Sequence, residues 1–143
     1  MSQVKVAENR FGIHLPLEYL QLLELYGHEN PQGPMFWGIP FVPFDTAVEI
    51  YADVSKYEHR WQYWSFAEQD GYGLFVKLTG GPQQRAKLYY TGPGVDPKLA
   101  FSSITSLFRA ISECWNAGCQ KVITEMPFGE ERLTQQAILE AYQ

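Results

Sequence analysis

The sequence predicts an α+β domain: a central antiparallel sheet of about four or five strands flanked by about four or five helices. Three observations predict it. Helical periodicity occupies both ends of the chain, alternating strand-like runs occupy the middle, and those runs follow one another as a meander with only turn residues between them. The chain has 143 residues, the size of one ordinary domain. A chain of this size buries roughly 70% of its unfolded surface, so it needs neither a disulfide nor a metal to fold.

The first helix is expected over Gln3 to Arg10, ending near Gly12, a residue suited to the left-handed position after a helix. A second begins at Pro16, since proline suits a first helical position, and stops at Gly27. Leu17, Leu20, Leu23 and Tyr26 spread around most of its circumference, which predicts a well-buried helix. Residues 30–34 read as a loop. The stretch from Phe36 to Phe44 is aromatic and broken by Pro40 and Pro43, so it makes at most a short edge strand. Thr46 and Glu49 match a capping box opening a third helix, with Ala47, Ile50, Tyr51 and Val54 as its apolar stripe.

Trp61 to Phe66 reads as a strand with Trp61 and Tyr63 on one face and Gln62, Trp64 and Phe66 on the other. Gly71 to Leu78 alternates, placing Tyr72, Leu74, Val76 and Leu78 on one face. Ala86 to Tyr90 is its partner across a loose loop over residues 79–85. Ser102 or Ser103 caps a fourth helix whose stripe is Ile104, Leu107, Phe108, Ile111 and Trp115, with Gly118 at its end. A last helix is expected from Glu130 to Tyr142, with Leu133, Ala137 and Ile138 facing inward.

Charge limits the partners. The net charge is −5, which argues against a nucleic-acid partner, because such binding requires basic surface to displace counterions. The acidic excess lies in the first half: residues 1–70 hold ten acidic and four basic side chains, and the remainder six and seven. This is either a solvated face that keeps the protein soluble or a patch that attracts a basic partner. The N-terminus lacks the apolar stretch of a secretory signal, and no run approaches the ~18 apolar residues of a membrane span, so a cytoplasmic protein is expected. Cys114 and Cys119 are then expected as reduced thiols near a helix end.

The search for reactive chemistry gives little. His14, His28 and His59 include no pair at the spacing of a helical metal site. Gly92-Pro93-Gly94 and Asp70-Gly71-Tyr72-Gly73 lack the lysine and hydroxyl residue that close a phosphate loop, and read as turns in which glycine supplies positive φ. Glu68 with Asp70, and Glu130 with Glu131, fall in loops or at a helix start, where acid–base pairs in a cleft are not formed. No nucleophile elbow is present. The sequence therefore predicts no enzyme, no catalytic residue, no cofactor and no metal.

Three motifs carry a resemblance. Glu8-x-x-Phe11-Gly12-Ile13-x-Leu15-Pro16-x-x-Tyr19-x-x-Leu22-Leu23 is followed by Gly27. Phe66-Ala67 precedes Asp70-Gly71-Tyr72-Gly73. Leu88-Tyr89-Tyr90 precedes Phe101-x-Ser103 and Leu107. In order and spacing, over about residues 3–118, the chain resembles the SUKH superfamily, which includes fungal cell-wall assembly regulators and bacterial toxin-immunity proteins. The chain departs from the family pattern at Tyr26-Gly27, where Asn-Gly is usual, at Leu74, where a polar residue often stands, and in the loop over residues 91–97. The resemblance implies a SUKH-like α+β fold and a protein-binding module, in bacterial members one that neutralises a toxin, often a nuclease.

An acidic first half suits a basic toxin domain as partner. The candidate partner-binding residues are Glu49, Asp53 and Glu58 on the third helix, which otherwise form its solvated side. Two other readings stay open: a regulatory or scaffold protein without a toxin partner, and a small-molecule binder or enzyme using an aromatic pocket. The dense segment Trp61 to Phe66 supplies rings for the core or for a contact surface.

Overall fold

The structure is a computed structural model and describes residues 2–26, 35–36, 39–57, 60–117 and 136–143. It is an α+β arrangement. Helices α1 (Gln3–Phe11) and α2 (Leu17–Tyr26) come first, then two short paired strands, β1 (Met35–Phe36) and β2 (Ile39–Pro40), and helix α3 (Phe44–Val54). A 3₁₀ turn (Arg60–Gln62) leads into β3 (Tyr63–Gln69), β4 (Tyr72–Lys77), β5 (Leu88–Gly92) and β6 (Val95–Phe101). Helix α4 (Ile104–Asn116) and helix α5 (136–141) follow. The four long strands form an antiparallel meander in the order β3-β4-β5-β6.

The C-terminal end of α1 at Gly12 is built as the sequence predicts, and Ser2 caps its start. The Ser2 side chain accepts from the Lys5 amide, and Gly12 closes the helix at φ 65°. One Glu8 carboxylate oxygen then takes the Leu15 amide at 2.9 Å, fixing the step into α2. The start of α2 is satisfied from far away: the Leu17 and Glu18 amides donate to the carbonyls of Gln83 and Gln84 in the β4–β5 loop. The helix is not buried around most of its circumference. Tyr19, Leu22 and Leu23 are buried, but Leu17 and Leu25 are exposed, because the core lies on one side only.

The predicted capping box of α3 does not form. The helix already starts at Phe44, with Pro43 in the cap position and no side-chain cap bond, so Thr46 and Glu49 lie inside it. Burial of Phe44 sets this earlier start: its ring is 3% exposed and packs 6.0 Å from the ring of Trp64. The inner face is Phe44, Ala47 and Tyr51, with Ile50 and Val54 partly buried beside them, as the periodicity predicts.

The sheet differs from the sequence reading in three places, the first being that β5 runs over Leu88–Gly92 rather than Ala86 to Tyr90. Trp61 belongs to the 3₁₀ turn and is half exposed, because the strand starts two residues later. And the segment read as a loop over residues 91–97 is a tight turn running straight into β6. Pro93 and Gly94 sit between paired Gly92 and Val95, with Gly94 at φ 72°. Pro97 is tolerated because β6 is the edge strand, where a missing N–H leaves no ladder bond unmade. Asp70 and Gly71, both at positive φ, make the two-residue turn between β3 and β4.

A bulge at Phe66 lets Trp64, Phe66 and Ala67 all join the core. Leu74, Val76 and Leu78 line the same face, as predicted. Tyr72 shares their parity but remains partly exposed, lying over Gly92 and donating to the Pro93 carbonyl. At the core's centre the Trp64 Nε1–H donates to the Tyr19 hydroxyl at 3.0 Å, and both side chains are fully buried.

Helix α4 is capped by Ser103, whose hydroxyl accepts from the Ser106 amide. Its buried ridge is Ile104, Leu107, Ala110 and Cys114, with Phe108 and Ile111 partly buried beside it as predicted; of the predicted stripe only Trp115 fails, being half exposed. Two small side chains at 110 and 114 let the helix sit close to the core, and the large indole points away. On α5, Ile138 packs on the core as predicted, with Leu139 and, just past the helix, Tyr142, while Ala137 is exposed, a correction to the predicted inner face. Gly27, Cys119, Gly118 and Leu133 lie outside the described residues.

Candidate functional site

Helix α3 places the sequence-predicted residues. Its inner ridge is fixed by three ring contacts: Phe44 and Tyr51 on Trp64, at 6.0 and 5.2 Å, and Phe11 edge-on to Tyr51 at 4.9 Å. With that ridge held, the opposite side must face out. Glu49 and Asp53 are both exposed there, one helical turn apart. The structure adds Asp45, exposed one turn earlier, which the sequence reading did not select. The signal for it was present: 45, 49 and 53 form one row at a spacing of four. Glu58 lies outside the described residues.

The chain beyond α3 presents two large rings. Tyr57 is 69% exposed and Trp61 51%. The Tyr51 hydroxyl donates to the Trp61 carbonyl at 2.6 Å, tying the 3₁₀ turn back to the helix while the Trp61 side chain stays in solvent. Acidic row and exposed aromatics therefore belong to one continuous stretch, residues 45–61.

A second feature lies beside this stretch. Arg60 of the 3₁₀ turn and Tyr63, the first residue of β3, line a pocket of about 310 Å³ with Thr91, Gly92, Gly94, Val95, Asp96 and Pro97 of the β5–β6 hairpin. Burial, with a smaller contribution from Tyr89, pushes the Tyr63 hydroxyl above its ordinary range and keeps it protonated. The Lys77 ammonium lies over both tyrosine rings, 5.9 Å from Tyr63 and 5.1 Å from Tyr89.

The polar residue that the sequence reading missed is Glu18. Its carboxylate accepts from the amides of Ala86, Ile104 and Thr105 and from the Thr105 hydroxyl. Burial is the largest single influence on its ionisation and opposes it, but these hydrogen bonds together hold the carboxyl below its usual range. Its partners lie 68 to 87 residues away, so no local pattern marks it. The arrangement is architectural: it caps α4 and holds the β4–β5 loop to α2.

His14 is exposed at the step into α2, and His28 and His59 lie outside the described residues. Glu68 is partly buried, 3.4 Å from the Ser65 hydroxyl, and Asp70 is a turn residue. Glu130 and Glu131 lie outside the described residues. Among the described residues no group of three or more His, Cys, Asp or Glu side chains is placed to hold a metal. Among them also, no helix is long and apolar enough to cross a membrane. Compared with family models, with curated proteins and with solved structures, the chain matches none.

Proposed function

We infer that this chain is a SUKH-like protein-binding module that associates with a basic protein partner and acts by covering it, without catalysis. Its best-supported task is that of an immunity-type protein that neutralises a toxin domain, of the nuclease kind, whose substrate cleft is positively charged.

The observation that carries this reading is the outer row of α3. Asp45, Glu49 and Asp53 are exposed at successive turns. Like charges at this spacing destabilise a helix by about 0.2–0.5 kcal/mol per pair. Asp53 also stands in the last turn, next to Val54 where the helix ends, and the negative end of the helix dipole disfavours it there. Asp45, in the first turn, is favoured by the positive end of the same dipole, but repulsion along the row and the position of Asp53 oppose helix stability, a cost that a cationic partner would offset through complementary charge and faster association. Exposed Tyr57 and Trp61 add the residue types that dominate binding energy in interfaces. Residues of the motifs that carry the resemblance have local folding roles here: Gly12 at a left-handed cap, Glu8 bonded to Leu15, and Asp70-Gly71 in a tight turn.

The test is binding of the full chain to cationic toxin domains encoded beside its gene, measured by calorimetry at rising salt. A tight, salt-weakened complex is expected, with toxicity suppressed in cells. Reversal of Asp45, Glu49, Asp53 and Glu58 to lysine should weaken it by roughly a hundredfold, on the scale of close charge-pair couplings. Unchanged affinity in that variant would remove the acidic row from the interface.

A further inference from the structure

We propose that the pocket between Arg60, Tyr63 and the β5–β6 hairpin binds a small zwitterion of the α-amino-acid class. It takes the ligand's carboxylate at Arg60 and Tyr63 and its ammonium group at Asp96. This goes beyond the protein-binding reading and uses none of the acidic residues of α3.

Three of the side-chain groups lining this pocket, on Arg60, Tyr63 and Asp96, make no hydrogen bond or ion pair with any described residue. Several polar side chains outside the pocket, Glu18, Glu8, Tyr51, Tyr72 and Gln83, bond main-chain groups. The Arg60 guanidinium makes no hydrogen bond or ion pair with any described residue, although it is only partly exposed. The Tyr63 side chain is 8% exposed, yet its hydroxyl makes no hydrogen bond with any described residue. With no protein acceptor among the described residues, its donor is free for a ligand. The Asp96 carboxylate, also without a partner among the described residues, supplies the opposite charge on the hairpin side.

Ligand chemistry follows from these three groups. A guanidinium and a protonated phenol are both donors and call for an anion, of which a carboxylate suits the planar fork of arginine. The carboxylate of Asp96 calls for a cationic or strongly donating group. Thr91 already donates its hydroxyl proton to the Val95 carbonyl, so it offers the ligand only lone pairs. Val95 and Pro97 form the apolar part of the wall. The volume, about 310 Å³, lies at the lower end of small-ligand pockets, which run from about 300 to 1,000 Å³. That admits one amino acid.

The experiment is amide-resolved NMR titration of the full chain with each of the common L-amino acids, followed by calorimetry on those that bind. At least one should give saturable shifts centred on the amides of Gly92, Gly94 and Val95. Arg60→Gln and Asp96→Asn should each weaken that binding by roughly tenfold or more, the scale of a charge-assisted hydrogen bond, and leave the melting temperature unchanged. Tyr63→Phe should weaken it less, by removing one neutral donor. The proposal is overturned if no amino acid shifts those amides saturably, or if binding is unaltered in both charge variants. It is also overturned if the deaminated analogue of the best ligand binds as well as the ligand itself. Because α3 is untouched throughout, failure here is separable from failure of the toxin-binding test.

Discussion

The Glu18 carboxylate accepts a 2.6 Å hydrogen bond from the main-chain amide of Ile104, the first residue of α4. The same side chain takes the Ala86 amide and both donors of Thr105. Meanwhile its own backbone amide is taken by Gln84. One residue of α2 thus joins the start of α4 to the β4–β5 loop, and the loop in turn caps α2. Replacing Glu18 with alanine leaves several amides without their acceptor, at a cost of about 1–2 kcal/mol on the scale of lost helix caps. Urea unfolding of the variant should show the midpoint fall with the slope unchanged.

This carboxylate also sets a pH dependence. Its folded-state pKa is lowered, so its contribution is present above the ordinary glutamate range and is lost as pH falls through the lowered folded value. The stability difference between the native chain and Glu18→Gln should therefore be constant near neutrality and shrink below about pH 4.3. Urea melts across a pH series would measure it. A difference that grows on acidification would contradict the assignment.

Tyr19 and Trp64 bond each other in the core with both side chains fully buried. Tyr19→Phe keeps the ring and strands the indole N–H, costing about 1–3 kcal/mol. Burial pushes the Tyr19 hydroxyl well above its ordinary range, so the phenol stays neutral throughout the accessible alkaline range and titrates only on unfolding. An ultraviolet titration should leave this tyrosine silent until the protein melts.

Gly92 has no room for a side chain: an added Cβ would lie 2.1 Å from the Tyr72 ring. Gly92→Ala should destabilise by about 1–3 kcal/mol, as overpacking does. In a Tyr72→Ala background the same change should cost markedly less, and a double-mutant cycle reads the coupling. At Gly73 the obstacle is the Ala67 carbonyl, 2.0 Å from the added atom. There Gly73→Ala should remain damaging in either background, because backbone cannot swing aside.

Local elements were written in the sequence wherever a rule acts within a few residues. Ser2 and Gly12 bound α1, Ser103 caps α4, and Asp70-Gly71 turns the β3–β4 hairpin, each by bonds or φ angles decided within one turn of chain. Alternation placed Leu74, Val76 and Leu78 in the core, and periodicity placed Ala47 and Tyr51 there. The outward facing of Glu49 and Asp53 follows from the same helical geometry.

Other features depended on contacts that only folding creates. Strand β6 forms through Pro97 because the sheet has an edge there, and α3 starts at Phe44 because Trp64 offers that ring a surface. The bonds of Glu18, and the meeting of Asp96 with Arg60 and Tyr63 at one pocket, join residues 33 or more positions apart. Periodicity and capping are short-range physics and leave their mark on neighbouring letters. Which distant polar groups meet, and which remain unpaired, is settled by how the elements pack, and that the sequence alone does not record.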